Sequence, residues 1–320
     1  MDTSALALAP TEFLADHTYR TVLLGTVFIG MTAGALGCFA YLRKQALISD
    51  VVSHSALPGV LAAFLIASAV FGSDGRSMLG LLIGAIVTGV AASLLSNAVA
   101  AKAPIGHDTA MAVVLVTFFG FGMLLMRVIS DGDYAGKGGV QDYLFGNASV
   151  LTSGDVWMSA ATGAVALAVM TGLWKQFALR TFDPVAAEVA GIPPRLIDAA
   201  MFGAVAIATV NGVKAVGLVL MVAFVVTPPA IARQWTHRLG PMVALAGAVG
   251  AGASALGAYL SIALGGLPTG PVVVIVLFVA FVFSVAFAPG RSIFALATRR
   301  ARLRRQLRAE VLAGAEGGEK

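Results

Sequence analysis

Charge is the first thing this chain lacks. Asp, Glu, Lys and Arg make up 12% of its 320 residues, against roughly a quarter in soluble domains. Most of the chain therefore has no face suited to water, in keeping with its mean hydropathy of +0.91. Cysteine is almost absent: with Cys38 alone, neither an intrachain disulfide nor a thiolate metal cluster can form. Residues 1–18 carry Asp2, Glu12 and Asp16 without the basic region of a signal peptide, so the first apolar run is expected to be retained. No GxxxxGK[ST] loop is present. Gly132 to Gly138 has the wrong spacing and no Ser or Thr for magnesium, and reads as a flexible loop. HExxH is missing too, and Asn147-Ala148-Ser149 is a sequon of a kind that arises often by chance. Ten-residue segments of alternating polarity, which a membrane β-barrel needs, are also lacking.

What the chain has is long, continuous apolar runs. A helix needs about 20 apolar residues to cross a bilayer. Runs at 20–42, 51–71, 78–101, 109–129, 156–174, 196–211, 214–232, 241–264 and 270–289 predict an all-α polytopic bundle of about nine spans, with eight to ten possible. The sixth and seventh meet at Asn211–Lys214, as two helices with a tight turn or as one broken helix. Gly30–Gly34 and Gly80–Gly84 have the GxxxG spacing that lets helix backbones approach closely. The net charge of +5 is concentrated in loops and in the tail, the pattern of a chain that orients itself in a membrane rather than one that binds nucleic acid. A cytoplasmic C-terminus with alternating spans puts sixteen Lys and Arg inside, among them Arg43, Lys102, Arg180 and Arg195, against five outside. The loop 130–155, with four Asp against one Lys, then lies outside.

Three stretches carry chemistry. In Asp50-Val-Val-Ser-His54 a carboxylate and an imidazole stand four residues apart on one helical face, about 6 Å along the axis. The pair can contact one divalent ion; equally, Asp50 can cap the second span while His54 makes a packing hydrogen bond. In Phe182-Asp183-Pro184-Val-Ala-Ala187-Glu188-Val-Ala-Gly191, Asp183 is placed to cap a two-turn helix. Pro184 fits its first position and Gly191 its end. That helix is either a membrane-surface connector or a lever that docks into a partner. The third stretch runs from Lys214-Ala-Val-Gly217 to Thr227-Pro228-Pro229. It enters a span ending in two prolines, and broken segments of this kind often line a cavity.

Together these stretches resemble the permease family of zinc/manganese/iron ABC importers. RKQALISDVVSHSALPGV is similar to that family's loop and second span, and DYLFGNASVLTSGDVW to its segment ending in Asp-Leu-Trp. FDPVAAEVAGIPPRLID is similar to its coupling region, AVGLVLMVAFVVTPPAIAR to a late span and LPTGPVVVIV to its penultimate loop. The resemblance covers residues of about 20 to 288. It implies a type II ABC importer permease, with a transmembrane domain over 1–290 and a basic cytoplasmic tail over 291–320. The chain would be a non-catalytic subunit of the bacterial inner membrane with no permanently bound cofactor. A second permease chain, two ATP-binding subunits and an extracytoplasmic metal-binding protein would be its partners. Its cargo would be a divalent ion: manganese is favoured, with zinc or iron as alternatives, and the absence of thiolates argues against Cu(I).

Carried over residue by residue, Asp50 and His54 match the family's intramembrane metal pair. Asp183, Pro184, Ala187, Glu188 and Gly191 match the coupling helix, at about 183–192. Lys214 stands where the family usually has Gln; with Thr227 and Pro228 it is a candidate for lining the pathway. Gly106-His107-Asp108 replaces the usual acidic loop, which makes His107 a further metal candidate or a solvated loop residue. Two other functions fit parts of the pattern. A siderophore or cobalamin permease needs no Asp50–His54 pair, and an ion-coupled secondary carrier should show inverted repeats, of which the sequence gives no convincing sign.

Overall fold

In lipid every backbone polar group must be satisfied within the protein, so continuous apolar runs become helices. The computed structural model describes residues 16–43, 45, 47–71, 78–132, 134, 152–264 and 267–288. Among them are eleven helices and no strand. They are α1 His17–Leu42, α2 Ile48–Phe71, α3 Met78–Lys102, α4 His107–Asp131, α5 Ser153–Gly172, α6 Trp174–Phe182, α7 Pro184–Val189, α8 Pro194–Val216, α9 Leu218–Trp235, α10 Leu239–Ala263 and α11 Thr269–Phe287. Eight of these (α1–α5, α8, α10 and α11) are long and apolar enough to cross a membrane. The ninth, α9, has 18 residues and is about 27 Å long. The tail 291–320, most of the loop 133–151 and the Asn147 sequon lie outside the described residues.

Local sequence sets the ends. Asp16 caps α1 by accepting from the Thr18 and Tyr19 amides at 2.7 and 3.2 Å. Thr152 and Asp155 form a reciprocal capping box at the start of α5. α1 is the central element and packs against α5, α8, α9 and α10. Its glycines explain how. A Cβ on Gly30 would strike Ser254 and Gly250 of α10, one on Gly34 would strike Ala246, and one on Gly37 the Val225 carbonyl of α9. A second seam joins α2 and α3, where Gly59 and Gly84 meet backbone to backbone. We expect Gly30→Val to force α1 and α10 apart and abolish the monodisperse peak in detergent gel filtration. Gly252→Val, where a Cβ meets open space, should leave that peak intact.

Two expected boundaries move. α8 does not turn at Asn211–Lys214; it continues to Val216. Asn211 can stay in the helix because its amide reaches Thr162 of α5 at 2.8 Å. The break falls on one residue, Gly217, at φ 92° and ψ 159°, a region that only glycine occupies readily. Nor do Pro228 and Pro229 end their span, since both lie inside α9. Proline cannot donate to the carbonyl four residues earlier, so the Val225 carbonyl loses its ladder bond at Pro229, and it is this carbonyl that lies against Gly37. α9 and α11 run parallel, with Leu220 beside Gly270 at one end and the Trp235 indole donating to Ser284 Oγ at 2.8 Å at the other.

Candidate functional site

Asp50 lies in the first turn of α2, one turn before His54. Asp50 Oδ1 and His54 Nε2 are 3.2 Å apart, with side chains 29% and 16% exposed. Two ligands at right angles on one ion, with bonds near 2.1 Å, would be about 3 Å apart. The observed separation is thus that of two neighbouring ligands of one ion, as well as of a hydrogen bond. The imidazole is held edge-on to Phe119 of α4, with centroids 5.0 Å apart at 87°. His54 Nδ1 is buried without a partner, as are the hydroxyls of Ser49, Ser53 and Ser55 in the same two turns. Pro58, inside α2, has no N–H to give the His54 carbonyl its ladder bond. Among the described residues no group of three or more His, Cys, Asp or Glu is placed to hold a metal. Among the described residues, the groups close in sequence that could add to the pair are hydroxyls and carbonyls.

The start of α2 lies at one end of the bundle, and that end is hollow. A cavity of about 1240 Å³ is bordered there by Arg43 and Gln45, by Asn97 and Lys102 of α3, by His107 and Asp108 of α4, and by Arg180, Pro184, Arg195 and Asp198. His107 thus faces this space, in the first turn of α4, apart from Asp50 and His54. Thr227 borders a separate recess of about 220 Å³ with Val274 and Phe278 of α11. Pro228 packs on α1 at Gly34. The side chain of Lys214, in the last turn of α8, lies outside the described part of the structure.

The short helix between α6 and α8 forms through its caps. Asp183 Oδ1 accepts from the Ala186 amide at 2.9 Å, and Pro184 takes the first helical position. At the other end Gly191, at φ 73°, donates to the Glu188 carbonyl, and Ile192 donates to the Ala187 carbonyl, both at 3.0 Å. This paired C-terminal closure calls for a left-handed residue. Ala187 is buried, while Val185 and Val189 are 72% and 85% exposed. With Phe182 and Leu196, also exposed, they leave apolar side chains uncovered around α7. Gly191→Pro removes the donor to Glu188 and imposes a negative φ. If α7 is the docking lever that the resemblance implies, this variant should uncouple a partner's ATP hydrolysis from transport, read as loss of substrate-stimulated phosphate release with normal membrane insertion.

An ionic network that sequence reasoning missed ties this helix to the bundle. Asp198 of α8 accepts from Arg43 at 2.6 Å and from Arg180 at 3.2 and 3.1 Å. Arg180 also reaches Glu188 of α7 at 3.4 Å. Arg43 lies 5.3 Å over the ring of Phe202. Arg43 and Asp198 are 155 positions apart, so no local spacing announces them; a carboxylate near the start of a span was the only hint.

Residues 15–288 match the model of the ABC 3 transport family. The manganese transport system membrane protein MntC of Bacillus subtilis is 36% identical over 89% of this chain, which spans 64% of that protein's length. The zinc transport system membrane protein TroC of Treponema pallidum is 35% identical over 91% of this chain and 96% of its own. The solved structure of PsaBC from Streptococcus pneumoniae in complex with Fab superposes with a TM-score of 0.76 at 27% identity, covering 90% of this chain and all of that one. With a family model that spans nearly the whole bundle, and relatives of this identity along most of its length, the chain belongs to the ABC 3 transport family.

Proposed function

We propose that the chain is the membrane-spanning, non-catalytic permease subunit of an ATP-driven importer for divalent transition-metal ions, with manganese as the favoured cargo. The observation that carries this reading is the Asp50–His54 pair at 3.2 Å within the first two turns of α2, in a chain of this family. Carboxylate and imidazole suit Mn, Fe and Zn alike. The names of MntC and TroC support manganese and zinc respectively. The buried, unpartnered hydroxyls of Ser49 and Ser53 and the His54 carbonyl opposite Pro58 are the added oxygens the pair could call on. His107 then belongs to the inner vestibule rather than to the pair. ATP would be hydrolysed on partner subunits docked at α7, with its uncovered Val185 and Val189. A second permease chain would complete the pathway, and an extracytoplasmic binding protein would deliver the ion. The reading sets aside the siderophore or cobalamin permease, which has no use for the pair.

The test is uptake of radioactive Mn²⁺ and Zn²⁺ by proteoliposomes holding the assembled transporter. ATP-dependent uptake of either ion, competed by the other, supports the reading. Uptake without ATP would point to a secondary carrier instead. Orientation follows from the charge count: residue 185 and the 291–320 tail share the cytoplasmic side. We expect Val185→Cys, in a Cys38→Ser background, to resist an impermeant maleimide in intact cells and to react in inverted vesicles. Labelling from outside would reverse the topology.

A further inference from the structure

At the wall of the hollow end of the bundle, beside the start of α2, two carboxamides meet. Gln45 precedes α2, and its carbonyl accepts from the Ile48 amide at 2.9 Å. It is only 6% exposed, yet it borders the cavity, as does Asn97 of α3. Asp50 and His54 do not. The two amides meet through one long bond, from Gln45 Nε2 to Asn97 Oδ1 at 3.3 Å. The complementary atoms, Gln45 Oε1 and Asn97 Nδ2, are buried with no partner. Turning both amides over exchanges donor for acceptor and leaves the same number unpaired. Leaving a buried polar atom unsatisfied is costly, and such atoms in a folded protein call for an explanation. Ser49 and Ser53, also buried and unpartnered, follow Gln45 at four-residue intervals on the way to His54 along the chain.

We propose that the Gln45–Asn97 pair is the inner gate of the ion pathway, and that its two side-chain oxygens are the last ligands the cation meets on leaving Asp50 and His54. The inference rests on the reading of Asp50 and His54 as the cargo site. A half-satisfied amide pair is easy to part, and parting it frees two neutral, hard oxygens of the kind that bind divalent cations weakly. Beyond the gate the cavity has four cationic side chains, Arg43, Lys102, Arg180 and Arg195, against the carboxylates of Asp108 and Asp198. Asp198 is already engaged by two arginines. The vestibule therefore offers a departing cation little to hold it, and its excess positive charge opposes the ion's return. Neutral gate ligands suit this arrangement, because a carboxylate there would trap the ion.

The experiment compares Asn97→Asp, Gln45→Leu and Asp50→Asn in the complete transporter. It measures ⁵⁴Mn²⁺ uptake in proteoliposomes and Mn²⁺ retained per permease chain after gel filtration. Asn97→Asp changes one group without changing shape. It should retain about one further Mn²⁺ per chain and slow uptake at saturating metal at least tenfold. Gln45→Leu removes one oxygen and the bond to Asn97, and should slow uptake severalfold while Mn²⁺ retention stays at the wild-type level. Wild-type uptake and retention in both gate variants, with uptake lost in Asp50→Asn, would overturn the gate alone. Wild-type uptake in Asp50→Asn would overturn the cargo site on which the gate depends.

Discussion

Asp50→Asn and His54→Ala should each abolish ion uptake while the protein still inserts and purifies. Asn keeps the shape of Asp and removes its charge; Ala removes the imidazole. The two groups are 3.2 Å apart, close enough to share one ion, so loss of either removes the site. The double variant should then be no worse than either single one, the non-additivity expected of groups acting on one target. A purely structural pair behaves differently. Its loss would lower the yield of folded protein, and the surviving molecules would transport normally. Uptake per folded molecule, measured beside gel filtration, separates the two outcomes. Normal specific uptake in Asp50→Asn would remove any essential charge from α2 and shift the pathway to backbone carbonyls such as those freed near Pro228 and Pro229.

Asp198→Ala should produce a large loss of stability at the hollow end of the bundle. Arg43 and Arg180 are each about 15% exposed in their side chains, and one carboxylate serves both. Removing it leaves two largely buried guanidiniums facing each other, with only the 3.4 Å contact of Arg180 to the exposed Glu188 to offset them. Breaking a buried ion pair from one side costs about 3–5 kcal/mol, an effect on the order of 10 °C in the midpoint of thermal unfolding. Asp198→Ala/Arg180→Met leaves a single unpaired cation and should recover part of that loss. Intrinsic fluorescence melts of the purified chain would measure both. An unchanged midpoint in Asp198→Ala would show that water or counter-ions already neutralise the two arginines. The same network joins α7 through Glu188 to the end of α1 through Arg43. If an ATPase docks at α7 as proposed, loss of the hub should also weaken its coupling to transport.

The sequence alone determined whatever depends on bonds within about one helical turn. Helical class and the approximate spans follow from apolar runs in a solvent that cannot pair with the backbone. The caps of α7 were legible because Asp183 accepts from Ala186 and Gly191 donates to Glu188, both three positions away. The placing of Asp50 and His54 on one face was legible for the same reason. What only the tertiary structure decided are the contacts between residues far apart along the chain. Asn211 looked like the turn between two spans, but Thr162, 49 positions away, keeps it in the helix, and the break moves to Gly217. Gln45 and Asn97 are 52 positions apart, and neither announces the other as its partner. The Asp198 hub draws on Arg43, which sequence reading had used only to count charge. Glycine spacing predicted close helix contact without naming the partners, and the fold chose α10 for Gly30 and Gly34 and α2 for Gly84. A polar group in an apolar bundle must find a partner somewhere, but which partner it finds depends on how the helices cross, and that is set by the packing of the whole bundle.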